Sequence, residues 1–433
     1  MVISSIDLKD GRVVQLKNGK DLVLERDDAD ALINDFNRYG EVAVIDLDAA
    51  LGNTIDEKGN TKNTHLLQSL LRKGNVRIGG GIRDVKKARH LISLGAEKVI
   101  IGSAAWNPNP KEGESILNTD FLEELVKTIG KGRIIISVDS INRKIAVKGW
   151  QETVDIDFIE GAKEAEKYCS ELLFTCVEKE GCMQGTDLQA CIDLRKSVKC
   201  RIVAAGGVNS IEEISQLEKI GCDVQLGMAL YTGAINLEDA FISCLNFDKT
   251  GGMIPVIAQS VEGQVLMMGY SDREAFKKTF ETSKLTFFSR TRNTLWTKGE
   301  TSGHFLKVVK LRADCDRDTV LATVIPVGGA CHTGSYTCFS SDIDEKSSME
   351  RLYKTIAERF ANPKPGSYTA TLNDKKVREK VMEEAEELTE AKGKDEVIWE
   401  AADLLYFTSV LMYKEGVTWQ DIYDELDRRH KEK

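Results

Sequence analysis

Hydrophobic positions in the first half of the chain alternate between short β-branched runs and longer amphipathic stretches. Four such runs are residues 42–46, 98–102, 133–137 and 201–204. Uniformly apolar runs of this length are typical of parallel strands buried on both faces, and the stretches between them have helical spacing. This alternation predicts either a (β/α)8 barrel or a doubly wound sheet.

An internal repeat distinguishes these two folds. Residues 79–83 read Gly-Gly-Gly-Ile-Arg, and residues 205–208 read Ala-Gly-Gly-Val. The Ser-x-Ile-Asp and Ser-Val-Asp endings at 4–7 and 137–139 repeat in the same way. Because both offsets are near half the length of the segment, the repeat indicates two fused half-barrels and favours the closed barrel.

The pattern changes twice further along the chain. Gly251 and Gly252 predict a linker. Strand signals dominate after this linker, and helical spacing dominates the last part of the chain. We therefore predict three domains, namely a (β/α)8 TIM barrel at 1–246, an α+β domain at 253–342 and an all-α domain at 347–433.

Composition narrows the classes of partner. A net charge of −10 argues against nucleic-acid binding, and no run approaches the roughly 18 apolar residues of a membrane helix. The amino terminus lacks the features of a signal peptide. The ten cysteines are dispersed through a long chain, which favours thiols or metal ligands over disulfides. A cytoplasmic protein with small anionic substrates is expected.

A run of alternating carboxylates predicts a magnesium site. Residues 312–318 read Arg-Ala-Asp-Cys-Asp-Arg-Asp. If this segment is extended, Asp314, Asp316 and Asp318 share one face. Neighbouring carboxylates repel one another unless a cation joins them, and hard oxygen ligands suit Mg²⁺. The alternative is a solvated acidic turn.

Three cysteines predict a zinc site beside it. Cys315 lies on the opposite face of that segment and can join Cys331 and Cys338. Three thiolates leave one position of a tetrahedral Zn²⁺ open for water, which is the arrangement of catalytic sites. The alternative is three unrelated cysteines. His332 is either a fourth zinc ligand or a substrate contact.

Carboxylates in the last segment predict a second magnesium site. On a helix Glu384 and Glu387 lie one turn apart, as do Glu400 and Asp403, and Glu383 adjoins the first pair. The alternative is a solvated charged face. That alternative fits Asp403 poorly, because the surrounding stretch is apolar nearly all round and an unpaired carboxylate there would be costly.

The middle segment resembles phosphoribosyl-AMP cyclohydrolase over nearly its whole length, including residues 288–292 and 295–304. The resemblance implies that the cysteine trio binds zinc across a homodimer interface and that the carboxylate trio binds magnesium. It further implies that zinc-activated water opens the purine ring. Side chains expected to bind substrate phosphate, rather than to form a merely solvated face, are Ser289, Arg290, Arg292, Lys298 and, as a substrate contact, His332.

The last segment resembles phosphoribosyl-ATP pyrophosphohydrolase, a helical member of the MazG-like group. Residues 367–369 and the stretch 383–407 carry this resemblance, with Phe407 where bacterial members commonly have histidine. The resemblance implies Mg²⁺-assisted attack of water between the α and β phosphates. A rival interpretation is a nucleotide house-cleaning hydrolase of the MazG type.

The barrel resembles the phosphoribosylformimino-aminoimidazole-carboxamide ribotide isomerase. Asp7 and Asp139 match the paired acid and base of that family, and Arg83 and Trp150 also match. The resemblance implies an Amadori rearrangement of a substrate with two phosphates. The loop at 175–181 departs from the family pattern through Cys176 and Glu178. Residues expected to bind the phosphates are Gly80, Gly81, Gly102, Ser103, Gly206, Gly207 and Gly227.

The three resemblances correspond to consecutive reactions on one phosphoribosyl nucleotide. We therefore expect a multifunctional enzyme of histidine biosynthesis that releases pyrophosphate, opens the purine ring and then isomerises the sugar. The alternatives are a bifunctional hydrolase with a catalytically silent barrel, and a metal-dependent binding module that has lost catalysis.

Overall fold

The β-branched runs of the first segment form a closed barrel in the computed structural model, which describes residues 1–431 except 18, 57–58, 109, 112–113, 340–348 and 364–365. The strands up to residue 226 are β1 (Val2–Lys9), β2 (Arg12–Lys17), β3 (Asp21–Arg26), β4 (Val42–Asp46), β5 (Val76–Gly79), β6 (Lys98–Ile101), β7 (Ile134–Ile141), β8 (Lys144–Val147), β9 (Glu152–Asp157), β10 (Glu171–Cys176), β11 (Arg201–Ala205) and β12 (Asp223–Leu226).

The barrel closes in the order β1-β4-β5-β6-β7-β10-β11-β12, and β12 pairs in parallel with β1. The pairs β2–β3 and β8–β9 are antiparallel extensions that follow β1 and β7. Each half of the barrel therefore begins with the same strand and hairpin, which accounts for the internal repeat. The predicted (β/α)8 barrel is confirmed.

Helices connect the strands of the barrel, and most of them cover its outside. They are α1 (Ala29–Phe36), α2 (Leu47–Leu51), α3 (Thr64–Lys73), α4 (Val85–Ser93), α5 (Thr119–Ile129), α6 (Phe158–Ala165), α7 (Leu188–Ser197), α8 (Ile211–Ile220), α9 (Met228–Tyr231) and α10 (Leu237–Ser243). Two of them begin at equivalent caps after the glycine-rich loops. The side chain of Asp84 accepts from the Lys87 amide, and that of Ser210 accepts from the Glu213 amide.

Apolar side chains fill the middle of the barrel. Ile3, Ile100, Ile135, Leu173 and Val203 come from five different strands and belong to one buried cluster. The alternate residues of the same strands pack outward against the helices. Strands buried on both faces explain why the sequence shows continuous apolar runs rather than an alternation with polar residues.

A buried ionic cluster closes the amino-terminal end of the barrel. Glu171 is fully buried and forms ion pairs with Arg77, Lys98 and Arg201. Arg77 is only 1% exposed and also pairs with Glu41. Burial alone would raise the pKa of Glu171, but the three surrounding cations outweigh it and lower that pKa. The cluster is therefore held in its charged form.

The middle segment forms an α+β domain, as predicted. Its elements are β13 (Ile254–Ser260), β14 (Val265–Ser271), α11 (Arg273–Thr282), β15 (Thr286–Ser289), β16 (Thr294–Thr297), β17 (Leu306–Ala313) and β18 (Val320–Pro326). The sheet order is β14-β13-β18-β17, with β15–β16 as a separate hairpin. Phe280 of α11 stacks on Tyr39 at 4.6 Å and meets the edge of Phe241. These contacts join the domain to the barrel in one compact unit, residues 1–339.

The last segment forms a separate helical unit. Its helices are α12 (Met349–Ala361), α13 (Asp374–Glu390), α14 (Lys394–Glu415) and α15 (Trp419–Lys431). A small core of Ile356, Leu372, Val377, Phe407 and Val410 holds them together. The predicted all-α fold is confirmed. Within the described residues, no helix has both the length and the apolar character required to cross a membrane.

We predict that Glu171→Gln lowers the free energy of unfolding of the first unit by about 3–5 kcal/mol, because it leaves the buried Arg77 and the partly exposed Lys98 and Arg201 without their shared carboxylate. Chemical denaturation followed by fluorescence measures the loss. The matched control is Asp155→Asn, which breaks the exposed pair between Asp155 and Lys144 and should leave the midpoint unchanged. Equal midpoints for both variants would contradict the role assigned to the cluster.

Candidate active sites

The carboxyl-terminal ends of the barrel strands surround a cavity of about 230 Å³. Asp7 near the end of β1 and Asp139 near the end of β7 both line it, as do Arg83 and Trp150. The structure thus brings together residues separated by more than half of the segment. The predicted phosphate-binding residues that line the same cavity are Gly80, Gly81, Gly102, Ser103, Gly206, Gly207 and Gly227.

At two of these positions the backbone of a neighbouring strand lies so close that only glycine fits. Gly80 has φ +105°, and a Cβ atom there would lie 2.1 Å from the carbonyl oxygen of Asp46. Gly206 has φ +95°, and its Cβ would lie 2.6 Å from the carbonyl oxygen of Cys176. Any side chain at either position would push the loop away from the neighbouring strand and change the shape of the cavity.

The two predicted catalytic carboxyl groups have similar local surroundings. The Ser5 hydroxyl donates to Asp7 at 2.9 Å, and the Ser137 hydroxyl donates to Asp139 at 2.7 Å. Desolvation in the cavity wall raises the pKa of Asp7 to about 6 and also raises the pKa of Asp139. Asp139 has an additional donor, the Trp150 indole N–H at 2.8 Å. The two repeated aspartates therefore share a serine donor but differ because Asp139 also accepts from an indole N–H.

A third carboxyl group, which the sequence analysis did not single out, lines the same cavity. Desolvation, and after it the negative charges of Asp7 and Asp139, together raise the pKa of Glu180 to about 8. Glu180 follows the short 3-10 turn Val177–Lys179 after β10. The sequence feature that could have indicated Glu180 is its position directly before Gly181, in a loop that departs from the family pattern.

The two residues that depart from the family pattern, Cys176 and Glu178, have side chains that lie away from the cavity. Glu178 is exposed and accepts a hydrogen bond from the Asn142 amide at 2.6 Å. Cys176 is buried in β10, where desolvation raises the pKa of its thiol to about 11. Neither side chain lines the cavity. The residue in this loop that reaches the other two carboxyl groups is Glu180.

The aspartate motif of the middle domain converges, but it does so in a turn. Strand β17 ends at Ala313, so the expectation of an extended segment is wrong. The Asp318 amide donates to Asp314 at 3.1 Å and closes the turn. Carboxylate oxygens of Asp314, Asp316 and Asp318 all lie within 4.8 Å of one another. Three hard oxygen donors at this spacing fit a divalent cation such as Mg²⁺.

A lysine from the interdomain linker partly neutralises this carboxylate cluster. The ammonium group of Lys249 pairs with both Asp316 and Asp318. These hydrogen bonds raise the pKa of Lys249 and lower the pKa of Asp316. A tethered cation at this position shows that the cluster attracts positive charge.

The predicted zinc ligands are not gathered within one chain. Cys331 and Cys338 lie beside each other, and the Thr333 hydroxyl, which donates to Cys331 at 3.0 Å, lowers the pKa of that thiol most strongly. Cys315 is exposed on the aspartate turn. Among the described residues, the three thiols form no compact group. His332 Nδ1 lies 3.7 Å from Cys331 Sγ, which leaves both predicted roles for His332 open.

The predicted phosphate contacts fall in two places. Ser289 lies at the tip of the β15–β16 hairpin and accepts from the backbone and side chain of Arg292, both at 3.3 Å. Arg290 stacks over the ring of Tyr270 at 3.9 Å. Lys298 is instead buried, with 6% of its surface exposed, and it faces the thiols of Cys331 and Cys338.

Three carboxylates of the helical unit form a second compact cluster. Oxygens of Glu384, Glu387 and Glu400 lie within 4.8 Å of one another across α13 and α14. Desolvation, followed by the charges of Glu387, Glu384 and Asp403, raises the pKa of Glu400. This mutual repulsion is the condition that a bound cation would relieve.

The other two predicted ligands lie at the edge of this cluster. Glu383 forms an ion pair with Lys380 at 2.8 Å. Asp403 adds negative charge near Glu400 but is only half-buried, and Leu405 on the same helix is 37% exposed. The expectation that apolar packing encloses Asp403 is therefore wrong, because helical periodicity does not show whether an apolar face is covered.

Comparison with known proteins identifies the family. The profile of the family described as histidine biosynthesis protein matches residues 1–236, which is more than half of the chain. The chain belongs to the histidine biosynthesis protein family. The phosphoribosyl-AMP cyclohydrolase profile matches residues 267–340, and the phosphoribosyl-ATP pyrophosphohydrolase profile matches residues 349–430.

Similar proteins are named as bifunctional proteins of histidine biosynthesis. The histidine biosynthesis bifunctional protein HisIE of Vibrio cholerae is 43% identical over 197 residues, which cover 43% of this chain and 94% of the relative. The HisIE protein of Pasteurella multocida is 44% identical over 199 residues, which cover 43% of this chain and 98% of the relative. The HisIE protein of Bacteroides thetaiotaomicron is 44% identical over 194 residues, which cover 43% of this chain and 96% of the relative.

This member of the histidine biosynthesis family therefore joins a barrel to the two hydrolase domains, and the predicted fusion is confirmed. It is an enzyme of histidine biosynthesis with the cyclohydrolase and pyrophosphohydrolase domains in that order along the chain. The aspartate turn and the Cys331–Cys338 pair both lie within the cyclohydrolase match, and the glutamate cluster lies within the pyrophosphohydrolase match.

We predict that Lys249→Ala strengthens divalent-cation binding at the aspartate turn about tenfold, because a tethered competing charge is removed. Titration of the metal-free protein with Mn²⁺, with the free ion followed by electron paramagnetic resonance, measures the change. The matched control is Lys277→Ala, which removes an exposed lysine from α11. Weaker Mn²⁺ binding in Lys249→Ala would show that the lysine supports the turn instead of competing at it.

Proposed function

We propose that this chain performs three consecutive steps on one phosphoribosyl nucleotide. The helical unit hydrolyses phosphoribosyl-ATP, the middle domain opens the purine ring of phosphoribosyl-AMP, and the barrel isomerises the product by an Amadori rearrangement. The observation that carries the third step is the convergence of Asp7, Asp139 and both glycine-rich sets on one cavity. A barrel retained only as a scaffold would not need this convergence.

In the helical unit, Glu384, Glu387 and Glu400 would hold Mg²⁺, with Glu383 and Asp403 at the margin of the site. Mg²⁺ held by these residues would supply the positive charge that neutralises the phosphates for attack of water between the α and β phosphates. The buried position of Glu384, with only 5% of its surface exposed, fixes one ligand firmly on α13. The more exposed Glu387 leaves the opposite side of the cluster open to the substrate.

In the middle domain, Cys331 and Cys338 would hold Zn²⁺ together with Cys315 of a second copy of the chain. Zn²⁺ held by these thiols would supply the Lewis acidity needed to activate water for attack on the purine carbon next to the ribosylated nitrogen. The exposed position of Cys315 on the aspartate turn supports a ligand shared between copies, and hence a homodimer. The Mg²⁺ of this domain would lie between Asp314, Asp316 and Asp318.

The remaining polar groups of the middle domain orient the substrate. Ser289, Arg290 and Arg292 form an exposed basic group suited to a phosphate. The buried Lys298 faces the thiol pair, so we assign it to the reacting end of the substrate instead of a phosphate. His332 adjoins Cys331, and we place it beside the attacked ring.

In the barrel, two of the three carboxyl groups would transfer protons and the third would orient the substrate. With a pKa of about 8, Glu180 keeps its proton near neutral pH and would donate it to the ring oxygen of the aminoribose as the C–O bond breaks. With a pKa of about 6, Asp7 is largely ionised and would remove the proton from the adjacent sugar carbon. Asp139, held by Trp150 and Ser137, would orient the sugar. This division differs from the sequence-based pairing of Asp7 with Asp139.

Variants that each stop one of the three reactions test the whole proposal. Purified protein with Zn²⁺, Mg²⁺ and phosphoribosyl-ATP is followed by chromatography with mass detection, since the last two intermediates are isomers of equal mass. We expect that Glu387→Gln leaves phosphoribosyl-ATP unconverted and that Cys331→Ala accumulates phosphoribosyl-AMP. Asp7→Asn should accumulate the ring-opened aldose, in which the purine ring is open but the sugar has not been isomerised. Each block should slow its own step by about 10²–10⁴-fold.

The control for these blocks is Glu164→Gln, which alters an exposed carboxylate on α6 and should convert substrate like the wild type. If the ring-opened aldose accumulates with the wild type as well, the barrel is catalytically silent. Failure of the wild type to consume phosphoribosyl-ATP at all would overturn the assignment of the hydrolase steps.

We predict a bell-shaped pH dependence of kcat/KM for the isomerisation. The rate should rise as Asp7 loses its proton near pH 6 and should fall as Glu180 loses its proton near pH 8. Assays with the ring-opened aldose over about pH 5 to about pH 9 measure the profile. In Glu180→Gln the residual rate should lack the alkaline limb, because an amide does not titrate. A wild-type rate that stays constant across the alkaline range would contradict the role of Glu180.

A further inference from the structure

The turn that carries the aspartate cluster also carries a basic residue that reaches the barrel. The guanidinium group of Arg317 lies 2.6 Å from a carboxylate oxygen of Glu218 and 2.7 Å from one of Asp223. Glu218 belongs to α8 and Asp223 is the first residue of β12. The side chain of Arg317 is 13% exposed, so this contact is largely withdrawn from water.

The backbone of the turn is tied to the barrel side at the same residue. Arg317 adopts φ +64°, in the left-handed region that non-glycine residues rarely enter. Its carbonyl oxygen accepts a hydrogen bond from the Asn246 amide at 2.8 Å. Side-chain and backbone contacts therefore hold the residue between Asp316 and Asp318 in one conformation.

The barrel partner of Arg317 is itself fixed. Asp223 pairs with the amino group of Met1 and with Arg201, the latter at 2.6 Å. Arg201 also pairs with the buried Glu171. The aspartate turn is thus connected, through Asp223 and Arg201, to the ionic cluster that closes the amino-terminal end of the barrel.

We propose that Arg317 is a positioning residue that anchors the aspartate turn on the barrel and thereby sets the affinity of the turn for its divalent cation. The barrel then has a second role, independent of isomerisation, as a rigid support for the cation site of the cyclohydrolase domain. This inference rests on the proposed Mg²⁺ site at Asp314, Asp316 and Asp318.

The direction of the effect separates anchoring from simple electrostatics. Removal of a positive charge near three carboxylates would by itself strengthen cation binding. The charge of Arg317 is already matched by Glu218 and Asp223, so loss of the anchor should dominate. A loosened turn must be ordered when the cation binds, and this ordering weakens the affinity.

The test measures Mn²⁺ binding to the metal-free full chain by electron paramagnetic resonance, in a Glu387→Gln background that disables the glutamate cluster. We expect Arg317→Ala to weaken binding at the aspartate turn by about 10- to 100-fold. The matched control is Arg312→Ala, which removes the same charge from an exposed position on β17 and should leave the affinity unchanged or slightly higher.

Two further variants show that the effect passes through the barrel. Glu218→Gln leaves the turn unchanged in sequence but removes one partner of Arg317, so it should weaken Mn²⁺ binding in the same direction. Its effect should largely disappear in the Arg317→Ala background, as expected for two residues in contact. Arg317→Lys should restore part of the affinity, and circular dichroism confirms that each variant is folded.

A kinetic measurement adds a second readout. In Arg317→Ala, the Mg²⁺ concentration needed for half-maximal ring opening should rise while kcat at saturating Mg²⁺ stays close to wild type. If Asp316→Asn leaves Mn²⁺ binding intact, the proposed cation site itself is wrong. If Asp316→Asn abolishes binding but Arg317→Ala behaves like Arg312→Ala, the site stands and the anchoring role is overturned.

Discussion

The buried carboxylate of Glu171 is the constraint on which the barrel depends. An ionised carboxylate withdrawn from water costs several kcal/mol unless cations surround it, and here three do so. Glu171, Lys98 and Arg201 are the first residues of β10, β6 and β11. The cluster can form only when these strands start at the same level. It therefore fixes strand register at one end of the barrel, and with it the positions of the strand ends that carry Asp7 and Asp139.

At the opposite end of the barrel, the desolvation of carboxyl groups raises their pKa values. The carboxyl groups of Asp7, Asp139 and Glu180 are desolvated and form no ion pair within the described part of the chain, so their pKa values rise. Two of the three descend from the internal repeat and have equivalent serine donors. Trp150 on one side and Glu180 on the other break that equivalence. A repeated scaffold thus places an asymmetric set of carboxyl groups around one cavity.

Much of the architecture could be predicted from sequence because the signals are local. Strand periodicity, the half-barrel repeat and the spacing of Asp314, Asp316 and Asp318 all lie within short segments. Glu180 could not be placed, because it meets Asp7 and Asp139 only when the sheet closes. Arg317 gave no signal either, since its partner Asp223 is 94 positions away. The burial of Asp403 was misjudged because a helix pattern does not reveal what covers it. The domain limits 1–246, 253–342 and 347–433 stay predictions.

The attachment of the middle domain follows from these constraints. A barrel enzyme needs the loops at the carboxyl ends of its strands free to bind substrate, so the amino-terminal end is the side available for a second domain. That end already carries a fixed set of charges, and Arg317 extends the set through Asp223 without requiring a new buried network. The stacked rings of Tyr39 and Phe280 add apolar contact at the same end. Within one chain, the aspartate turn and the mouth of the barrel thus lie at opposite ends of the strands. The turn can therefore be held rigidly without restricting the loops that surround the barrel cavity.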